Sequence, residues 1–331
     1  MIIEERTPAR AGLLGNPSDG YFGKTISISV KNFGAHVTLY ESPELRIEPQ
    51  PQDINEYRNI HSLIENITLH GYYGGDRLIK AAIKKFYEHC SVNDIPLEAK
   101  NFTIRYDSSI PRQVGLAGSS AIIASVIKAL VKFYKIDIQK EYLPTLVLKV
   151  ETEELGINAG LQDRVIQIYG GCVYMDFNKT SVKEKGFGIY TPISPKLLPN
   201  LYLAYKEDLG KISGVVLNDI KSRYDRDDKL VIETLEEIAS LAEKGNSLIN
   251  RGETASLHEL INRNFDLRCK IMNINESNKQ LVYTARKCGA SAKFAGSGGS
   301  IIGMYEDDEM LTRLINSLKE INARVIKPYI S

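Results

Sequence analysis

The sequence predicts a protein of mixed helices and strands that folds into two lobes with a site between them. Two observations support this prediction. The chain has 331 residues, and because a single hydrophobic core stops growing at about 250 to 300 residues, two cores are expected. In addition, segments with strand periodicity and segments with helix periodicity are mixed, without the strict β-α-β alternation of a parallel-sheet protein.

Strands are predicted where apolar residues alternate or form short runs between turn residues. These segments are residues 25–30, 35–40, 102–106, 172–176, 201–205 and 300–305. Helices are predicted where apolar residues recur every three or four positions. These segments are residues 76–89, 142–155, 228–244, 257–268, 276–287 and a helix that begins at Ser119 and Ser120. The loop-like stretch 178–199 predicts a boundary between domain 1–187 and domain 188–331.

The charge balance favours a small-molecule partner. The 42 Lys and Arg residues are matched by 41 Asp and Glu residues, so the surface has no broad field for nucleic acid or an anionic membrane. The four cysteines lack the spacing of a zinc site. Because the first residues do not form a signal peptide and no apolar run has transmembrane length, a cytoplasmic protein is expected.

The most informative segment is PRQVGLAGSSAI at residues 111–122. Its glycines allow a tight turn with exposed N–H groups, and the positive end of the following helix points at them, as in sites that bind phosphate. It is neither a Walker A loop nor a dinucleotide-binding G-x-G-x-x-G. A turn capped by a serine is an equally good explanation of this segment alone. The residues assigned to ATP are Gly115, Leu116, Ala117, Gly118, Ser119 and Ser120.

A second polar loop, ARAGLLGNPSDGY at residues 9–21, contains one cation followed by turn residues. Arg10 is a candidate to stabilise a phosphoryl group, and Asp19 is a candidate to accept hydrogen bonds from sugar hydroxyls. The alternative is a strand and a turn in which Asp19 bonds only to its own backbone. The residues assigned to substrate in this loop are Asn16, Ser18, Asp19 and Tyr21.

The acidic residues 151–154 end an amphipathic helix and precede the segment AGLQDR. One of Glu151, Glu153 and Glu154 is a candidate magnesium ligand, and Asp163 is a candidate to face an acceptor hydroxyl. Phosphoryl transfer needs positioning and charge neutralisation, which an arginine, a metal carboxylate, a hydroxyl and one aspartate supply. The alternatives are an N-cap for Asp163 and a solvated helix face for the glutamates.

A further glycine-rich loop, AKFAGSGGS at residues 292–300, precedes an apolar strand. Because glycine has no β-carbon, such a loop can pass close to a ligand. The alternative is a flexible hairpin connection. We assign Gly296, Ser297 and Gly298 to nucleotide binding.

In this order, the segments resemble the three motifs of the GHMP kinases, the family of galactokinase, homoserine kinase and mevalonate kinase. The first motif matches residues 8–19, the phosphate loop matches residues 111–121 and the third motif matches residues 293–300. The resemblance implies an α+β fold, with an N-terminal ribosomal-S5-like lobe and a C-terminal ferredoxin-like lobe. It also implies ATP and Mg²⁺ as cofactors.

The resemblance further implies roles for individual residues. Ser120 would supply a hydroxyl ligand of Mg²⁺, Asp163 would be the catalytic base, and Arg10 would lie beside the base. We assign the metal-binding carboxylate to Glu151, with Glu153 and Glu154 as alternatives. Arg10 and Mg²⁺ would then neutralise charge on the γ-phosphate.

Within the family, the segments GLLGNPSDGYFGKTIS and ELGINAGLQDRV are most similar to those of the glucuronokinases. Galactokinases have G-E-H-T-D-Y where this chain has GNPSDG, and the loss of acidic and histidine contacts suits a negatively charged sugar. The carboxylate of such a sugar requires a cation or several N–H donors, and Arg112, Arg164 and Lys24 are nearest to the motifs. We assign Arg164 to the substrate; the alternative is that it orients Asp163.

The expected reaction is therefore D-glucuronate plus ATP to D-glucuronate 1-phosphate plus ADP, catalysed by a monomer or homodimer. A first alternative is another member of the family that phosphorylates galacturonate, a neutral hexose or mevalonate. A second alternative is a sensor that binds ATP and sugar without catalysis. A nucleic-acid binder on an S5-like fold would need a basic face, which the charge balance disfavours.

Overall fold

A long antiparallel hairpin, β1 (Ile2–Leu14) and β2 (Lys24–Ser42), is the framework of the larger of two sheets. The structure is a computed structural model and describes residues 1–48, 75–206 and 214–330. In β1, buried and exposed residues alternate at first, and from Ala9 to Leu14 every residue is buried. The end of β1 therefore carries its side chains, including Arg10, into the interior.

The larger sheet has six strands in the order β3-β4-β2-β5-β6, with β1 on the opposite edge of β2. β2 is long enough to pair first with β5 (Cys172–Asp176) and then with β4 (Asn101–Ser108) along the same edge. The outer strands are β3 (Arg46–Ile47), which is parallel to β4, and β6 (Ile189–Ile193), which is antiparallel to β5.

The helices that precede β6 are associated with this sheet, and the most buried of them is α2 (Gly118–Tyr134). Its apolar residues recur at helical spacing and pack against β1 and β2. The other helices are α1 (Gly75–Val92), α3 (Leu143–Lys149), α4 (Gln162–Tyr169) and α5 (Lys179–Lys185). α3 continues directly into a π-helical turn, Val150–Glu154.

The smaller sheet has four antiparallel strands in the order β10-β7-β9-β8. The strands are β7 (Leu201–Tyr205), β8 (Lys293–Phe294), β9 (Ser300–Met304) and β10 (Arg324–Ile326). The helices of this part are α6 (Gly214–Asp225), α7 (Lys229–Arg251), α8 (Leu257–Ile271), α9 (Glu276–Lys287) and α10 (Asp308–Glu320). None of the helices that the structure describes has both the length and the apolar composition required to span a bilayer.

The two sheets meet at the end of β1 and at the loop that follows it. The N–H of Gly12 donates to the carbonyl of Ala295 at 2.7 Å. Asn264 on α8 accepts from the N–H of Gly15 at 2.8 Å and donates to the carbonyl of Asn16 at 3.1 Å. Because these groups are buried, their hydrogen bonds hold the loop of the first lobe against the second lobe.

The predicted α+β fold and its strands and helices are confirmed, with two local corrections. The predicted strands 25–30 and 35–40 are one strand, because the register shift of β1 between Pro8 and Ala9 places residues 31–33 in a bulge without ending β2. The stretch 178–199, predicted as loop, contains α5 and β6. By its hydrogen bonds β6 belongs to the larger sheet, and the domain division at residues 187 and 188 stays a prediction.

Candidate active site

Arg10 lies at the centre of a buried polar cluster that joins the four predicted segments. Only 5% of its surface is exposed. Its Nε and Nη2 atoms donate to the two carboxylate oxygens of Asp163, at 2.5 Å and 2.7 Å. Its Nη1 donates to the carbonyls of Gly115, at 2.6 Å, and Ala295, at 3.2 Å. One side chain of the first segment therefore contacts the candidate base, the phosphate loop and the C-terminal glycine-rich loop.

The phosphate loop is packed closely against the C-terminal glycine-rich loop. A β-carbon at Gly115 would lie 2.5 Å from the carbonyl oxygen of Gly298, and the φ angle of Gly115 is +72°. At this position both the close approach and the left-handed backbone require glycine.

The start of α2 is suited to bind an anion. The residue at its N-cap is Ala117, in the left-handed region, and no side chain caps this helix. The alternative of a serine-capped turn is therefore wrong. The first N–H groups of a helix carry partial positive charge, and here they adjoin the Gly115 turn. The loop can thus hold a phosphate group by its backbone.

Ser120 and Glu151 are the predicted metal ligands, and both are buried. The hydroxyl of Ser120 makes one long hydrogen bond, at 3.5 Å, to the carbonyl of Ala117. Glu151 lies on the π-helical turn, and its Oε2 accepts from Nε of Arg164 at 2.5 Å and also from Nη2. Burial raises the pKa of Glu151, and the charge of Arg164 offsets this effect only in part.

Among the three candidate glutamates, Glu151 is the one that faces the interior. Glu154 pairs with Lys84 at 2.5 Å and with Lys85 at 2.7 Å, both of which lie on α1. Glu153 is exposed and pairs with Lys85 at 3.0 Å. In an α-helix, Glu151 and Glu154 would lie on the same face. Here they lie on a π-helical turn, whose wider i→i+5 geometry separates them.

Asp163 and Asp19 form a pair of neighbouring carboxylates with different protonation properties. Burial pushes the pKa of Asp163 upward, but the charges of Arg10 and Arg164 outweigh burial and hold this pKa below its ordinary value. Asp19 accepts a hydrogen bond from the backbone of Gln162 at 3.2 Å. Burial and the Asp163 charge raise the pKa of Asp19 to about 6. Asp163 therefore stays ionised to a lower pH than Asp19.

Arg164 lies between Glu151 and Asp163. It is buried, pairs with Glu151, and places Nη1 3.4 Å from Asp163 Oδ2. The same nitrogen donates to the carbonyl of Gly160 at 2.8 Å. These contacts favour the alternative that Arg164 orients Asp163, and the assignment of Arg164 to substrate stays a prediction. Of the other two predicted cations, Lys24 pairs with Glu243 at 2.8 Å and Arg112 is exposed.

The residues of the first loop divide into two groups. Asn16 and Ser18 are buried and bond within the protein, since Asn16 Oδ1 accepts from Lys293 at 2.5 Å and Ser18 Oγ donates to the carbonyl of Lys24 at 3.0 Å. Tyr21 is partly exposed, and its ring lies 4.7 Å from that of Tyr224. The substrate-binding roles of Asn16, Ser18 and Tyr21 stay predictions.

Sequence reasoning did not identify the roles of Lys293 and Arg268. Lys293 is fully buried and donates to three oxygens, those of Asn16 Oδ1 and the carbonyls of Gly12 and Phe294. Arg268 on α8 donates from Nη1 to the carbonyl of Gly296 at 2.9 Å, and its guanidinium carbon lies 5.2 Å from the centre of the Phe294 ring. The sequence pattern could have placed Arg268 in the interior, because this residue continues an apolar stripe of α8 that includes Ile261 and Phe265.

Comparison with known proteins identifies the family. The family model described as "GHMP kinases N terminal domain" matches residues 77–171, and the family model described as "GHMP kinases C terminal" matches residues 246–323. Probable glucuronokinase 2 of Arabidopsis thaliana is 42% identical over 99% of this chain and 91% of that protein. Glucuronokinase 1 of the same plant is 44% identical over 91% of this chain and 84% of that protein.

Solved structures agree with the fold. The superposition on Lactococcus lactis galactokinase complexed with galactose covers 99% of this chain and 93% of the galactokinase chain, with a TM-score of 0.78 and 16% sequence identity. The superposition on the Lin0012 protein from Listeria innocua covers 100% of this chain and 98% of the Lin0012 chain, with a TM-score of 0.78 and 14% sequence identity. With the buried Arg10–Asp163 pair beside the phosphate loop, these matches confirm the predicted family: the chain belongs to the GHMP kinases, a family of ATP-dependent kinases.

Proposed function

We propose that this kinase transfers the γ-phosphate of ATP to the anomeric hydroxyl of D-glucuronate and releases D-glucuronate 1-phosphate and ADP. The observation that carries the chemistry is the buried pair of Arg10 and Asp163, which contacts both glycine-rich loops. Support for the sugar acid comes from two glucuronokinases that are 42% and 44% identical over most of their length.

In the proposed reaction, Asp163 accepts the proton of the anomeric hydroxyl. The sugar oxygen forms a bond to the γ-phosphorus, and the bond between this phosphorus and the oxygen of ADP breaks. Arg10 keeps Asp163 ionised and oriented, and its Nη1 places positive charge at the phosphate loop. Preorganised positive charge of this kind stabilises the charge of a phosphoryl transition state. Asp19 accepts hydrogen bonds from the hydroxyls of the sugar.

The donors around the phosphate loop fit Mg²⁺. Ser120 and Glu151 offer the hard oxygen atoms that this ion prefers, and Glu151 would use Oε1 because both bonds from Arg164 go to Oε2. Within the described ranges no group of three or more His, Cys, Asp or Glu side chains could hold a metal ion. Mg²⁺ is usually bound by one or two carboxylates together with nucleotide phosphates. When bound, Mg²⁺ neutralises charge on those phosphates.

The test is phosphate transfer from ATP to a panel of acceptors, with the position of phosphate determined by ³¹P and ¹H NMR. The panel contains glucuronate, galacturonate, glucose, galactose and mevalonate. We expect the highest kcat/KM for glucuronate and a product phosphorylated at C1. A higher value for another acceptor contradicts the sugar assignment, and ATP binding without transfer to any acceptor supports the sensor alternative.

We also propose that the enzyme acts in the cytoplasm, as a monomer or homodimer, on a small-molecule substrate. The near-equal numbers of basic and acidic residues support a small partner. Free thiols at all four cysteines, Cys90, Cys172, Cys269 and Cys288, support a reducing compartment. Size-exclusion chromatography with light scattering tests the oligomeric state.

A further inference from the structure

Arg268 is a buried cation whose charge is not matched by an ion pair. It is 1% exposed. Its Nη1 donates to the carbonyl of Gly296, and its Nε has no hydrogen-bond partner. No carboxylate in the described part of the chain forms an ion pair with it. A buried charge in this situation is costly unless a ligand supplies the opposite charge.

The two other buried arginines of the site are compensated by carboxylates. Arg10 pairs with Asp163, and Arg164 pairs with Glu151. Both arginines use the same edge of the guanidinium, formed by Nε and Nη2, to hold a carboxylate. In Arg268 this edge makes no hydrogen bond to a described residue. Among the described residues, Arg268 therefore leaves unpaired the edge with which Arg10 and Arg164 bind carboxylates.

Arg268 lies close to the reacting groups although it comes from the second lobe. Its partner Gly296 adjoins Arg10, since a β-carbon at Gly296 would lie 2.6 Å from Nη1 of Arg10. Burial lowers the pKa of Arg268 to about 10, and the charge of Asp19 opposes this effect. An anion bound by Arg268 would thus lie close to the polar cluster that contains Arg10 and Asp163.

We propose that Arg268 binds the carboxylate of the sugar-acid substrate through its Nε and Nη2 edge, an inference that rests on the proposed function. A carboxylate has two oxygens in a plane, which match the fork of a guanidinium. In glucuronate the carboxylate and the anomeric hydroxyl are carried by the two ring carbons that flank the ring oxygen. The cation that binds the carboxylate must therefore be near Asp163 but separate from Arg10, as Arg268 is.

This proposal also explains how the site distinguishes a sugar acid from a neutral sugar. With a neutral hexose, the Nε and Nη2 edge of Arg268 stays buried without an acceptor. A site with an unpaired polar group discriminates strongly against a ligand that lacks the matching group. Arg268 is therefore a specificity-determining residue.

The test compares glucuronate with its uncharged carboxamide, glucuronamide, in the wild-type enzyme and in R268Q. We expect the wild-type kcat/KM to favour glucuronate by at least about 100-fold, as for a buried charge pair. In R268Q the value for glucuronate should fall by about 100-fold or more, mainly through KM. The value for glucuronamide and the KM for ATP should change by less than about threefold.

A matched control is R286Q. Arg286 on α9 also lies over an aromatic ring, that of Phe265 at 5.3 Å, and its Nε also lacks a partner. It pairs with Asp266 at 2.7 Å and is not part of the polar cluster around Arg10. R286Q should therefore retain the preference for glucuronate. If R268Q retains the wild-type preference as well, the role of Arg268 is wrong while the proposed function stands.

Two further outcomes are decisive. A wild-type enzyme that phosphorylates no uronate contradicts the proposed function and this inference together. If R268Q does not fold, the Nε–H resonance of Arg268 can be followed by NMR in the wild-type enzyme, assigned by comparison with R268K. It should shift on addition of glucuronate but not of glucuronamide, and an equal response to both compounds overturns the inference.

Discussion

Arg10 and Asp163 form a two-point ion pair across the site, with Nε 2.5 Å from Oδ1 and Nη2 2.7 Å from Oδ2. The pair joins strand β1 to the start of helix α4, at residues that are 153 positions apart in the chain. It orients both side chains and keeps the carboxylate ionised despite burial. The first two predictions follow from this pair.

Replacement of the base should strongly reduce turnover without loss of nucleotide binding. The D163N substitution keeps the shape of the side chain, but an amide cannot accept the proton of the hydroxyl. We expect kcat to fall by about 10²- to 10⁴-fold, with the Kd for ATP within about threefold of wild type. Steady-state kinetics and calorimetric titration with ATP measure the two effects. Near-normal turnover in a folded D163N protein would remove Asp163 from the role of base.

R10K should retain the charge but lose the two-point contact. Lysine cannot bind both oxygens of Asp163 in a planar fork, so the carboxylate is less well oriented. We expect kcat to fall by about 10- to 100-fold. The control is R6K on the same strand, because Arg6 is exposed and donates to the carbonyl of Lys31 at 2.9 Å. Equal kinetics for R10K and R6K would show that the fork geometry is unimportant.

G160A should disturb the sugar site through Asp19. A β-carbon at Gly160 would lie 2.0 Å from Oδ2 of Asp19, so this carboxylate must move. We expect the KM for the sugar to rise by about 10-fold, with little change in the KM for ATP. G20A is the control, since a β-carbon at Gly20 meets no atom within 4 Å. An unchanged sugar KM in G160A would argue against contact of Asp19 with substrate.

The raised pKa of Asp19 predicts a dependence of stability on pH. Folding raises the pKa of the Asp19 carboxyl from 3.8 to about 6. Between these pH values the carboxyl is ionised in the unfolded chain but protonated in the folded protein. The stabilising contribution of Asp19 to the free energy of unfolding is therefore fully present below pH 3.8 and is lost as the pH rises through about 6. D19N removes this titration and keeps an acceptor for the Gln162 N–H.

Relative to wild type, D19N should therefore gain about 2 kcal/mol in the free energy of unfolding between pH 4 and pH 7.5. Urea denaturation of both proteins without ligands, at several pH values, measures this difference. A difference that is the same at every pH would mean that Asp19 is not selectively protonated in the folded state.

Much of the fold follows from local patterns that are visible in the sequence. The apolar residues of α2 recur at helical spacing and are buried as predicted. The pattern of β2 predicts two strands because polar and glycine residues interrupt it at positions 31–34. The pairing with β1 continues across this interruption through a bulge. Strand continuity depends on a partner strand, which a local pattern does not contain.

The sequence by itself determined which chemical groups are available and their order along the chain. Arg10, Asp163 and the two glycine-rich loops were therefore recognisable before any contact was known. Only the tertiary structure decided how the charges pair: Arg164 is held by Glu151, Asn16 is bonded to Lys293, and Arg268 has no carboxylate among the described residues. Pairing depends on distance and burial in three dimensions, because electrostatic interactions act through space rather than along the chain.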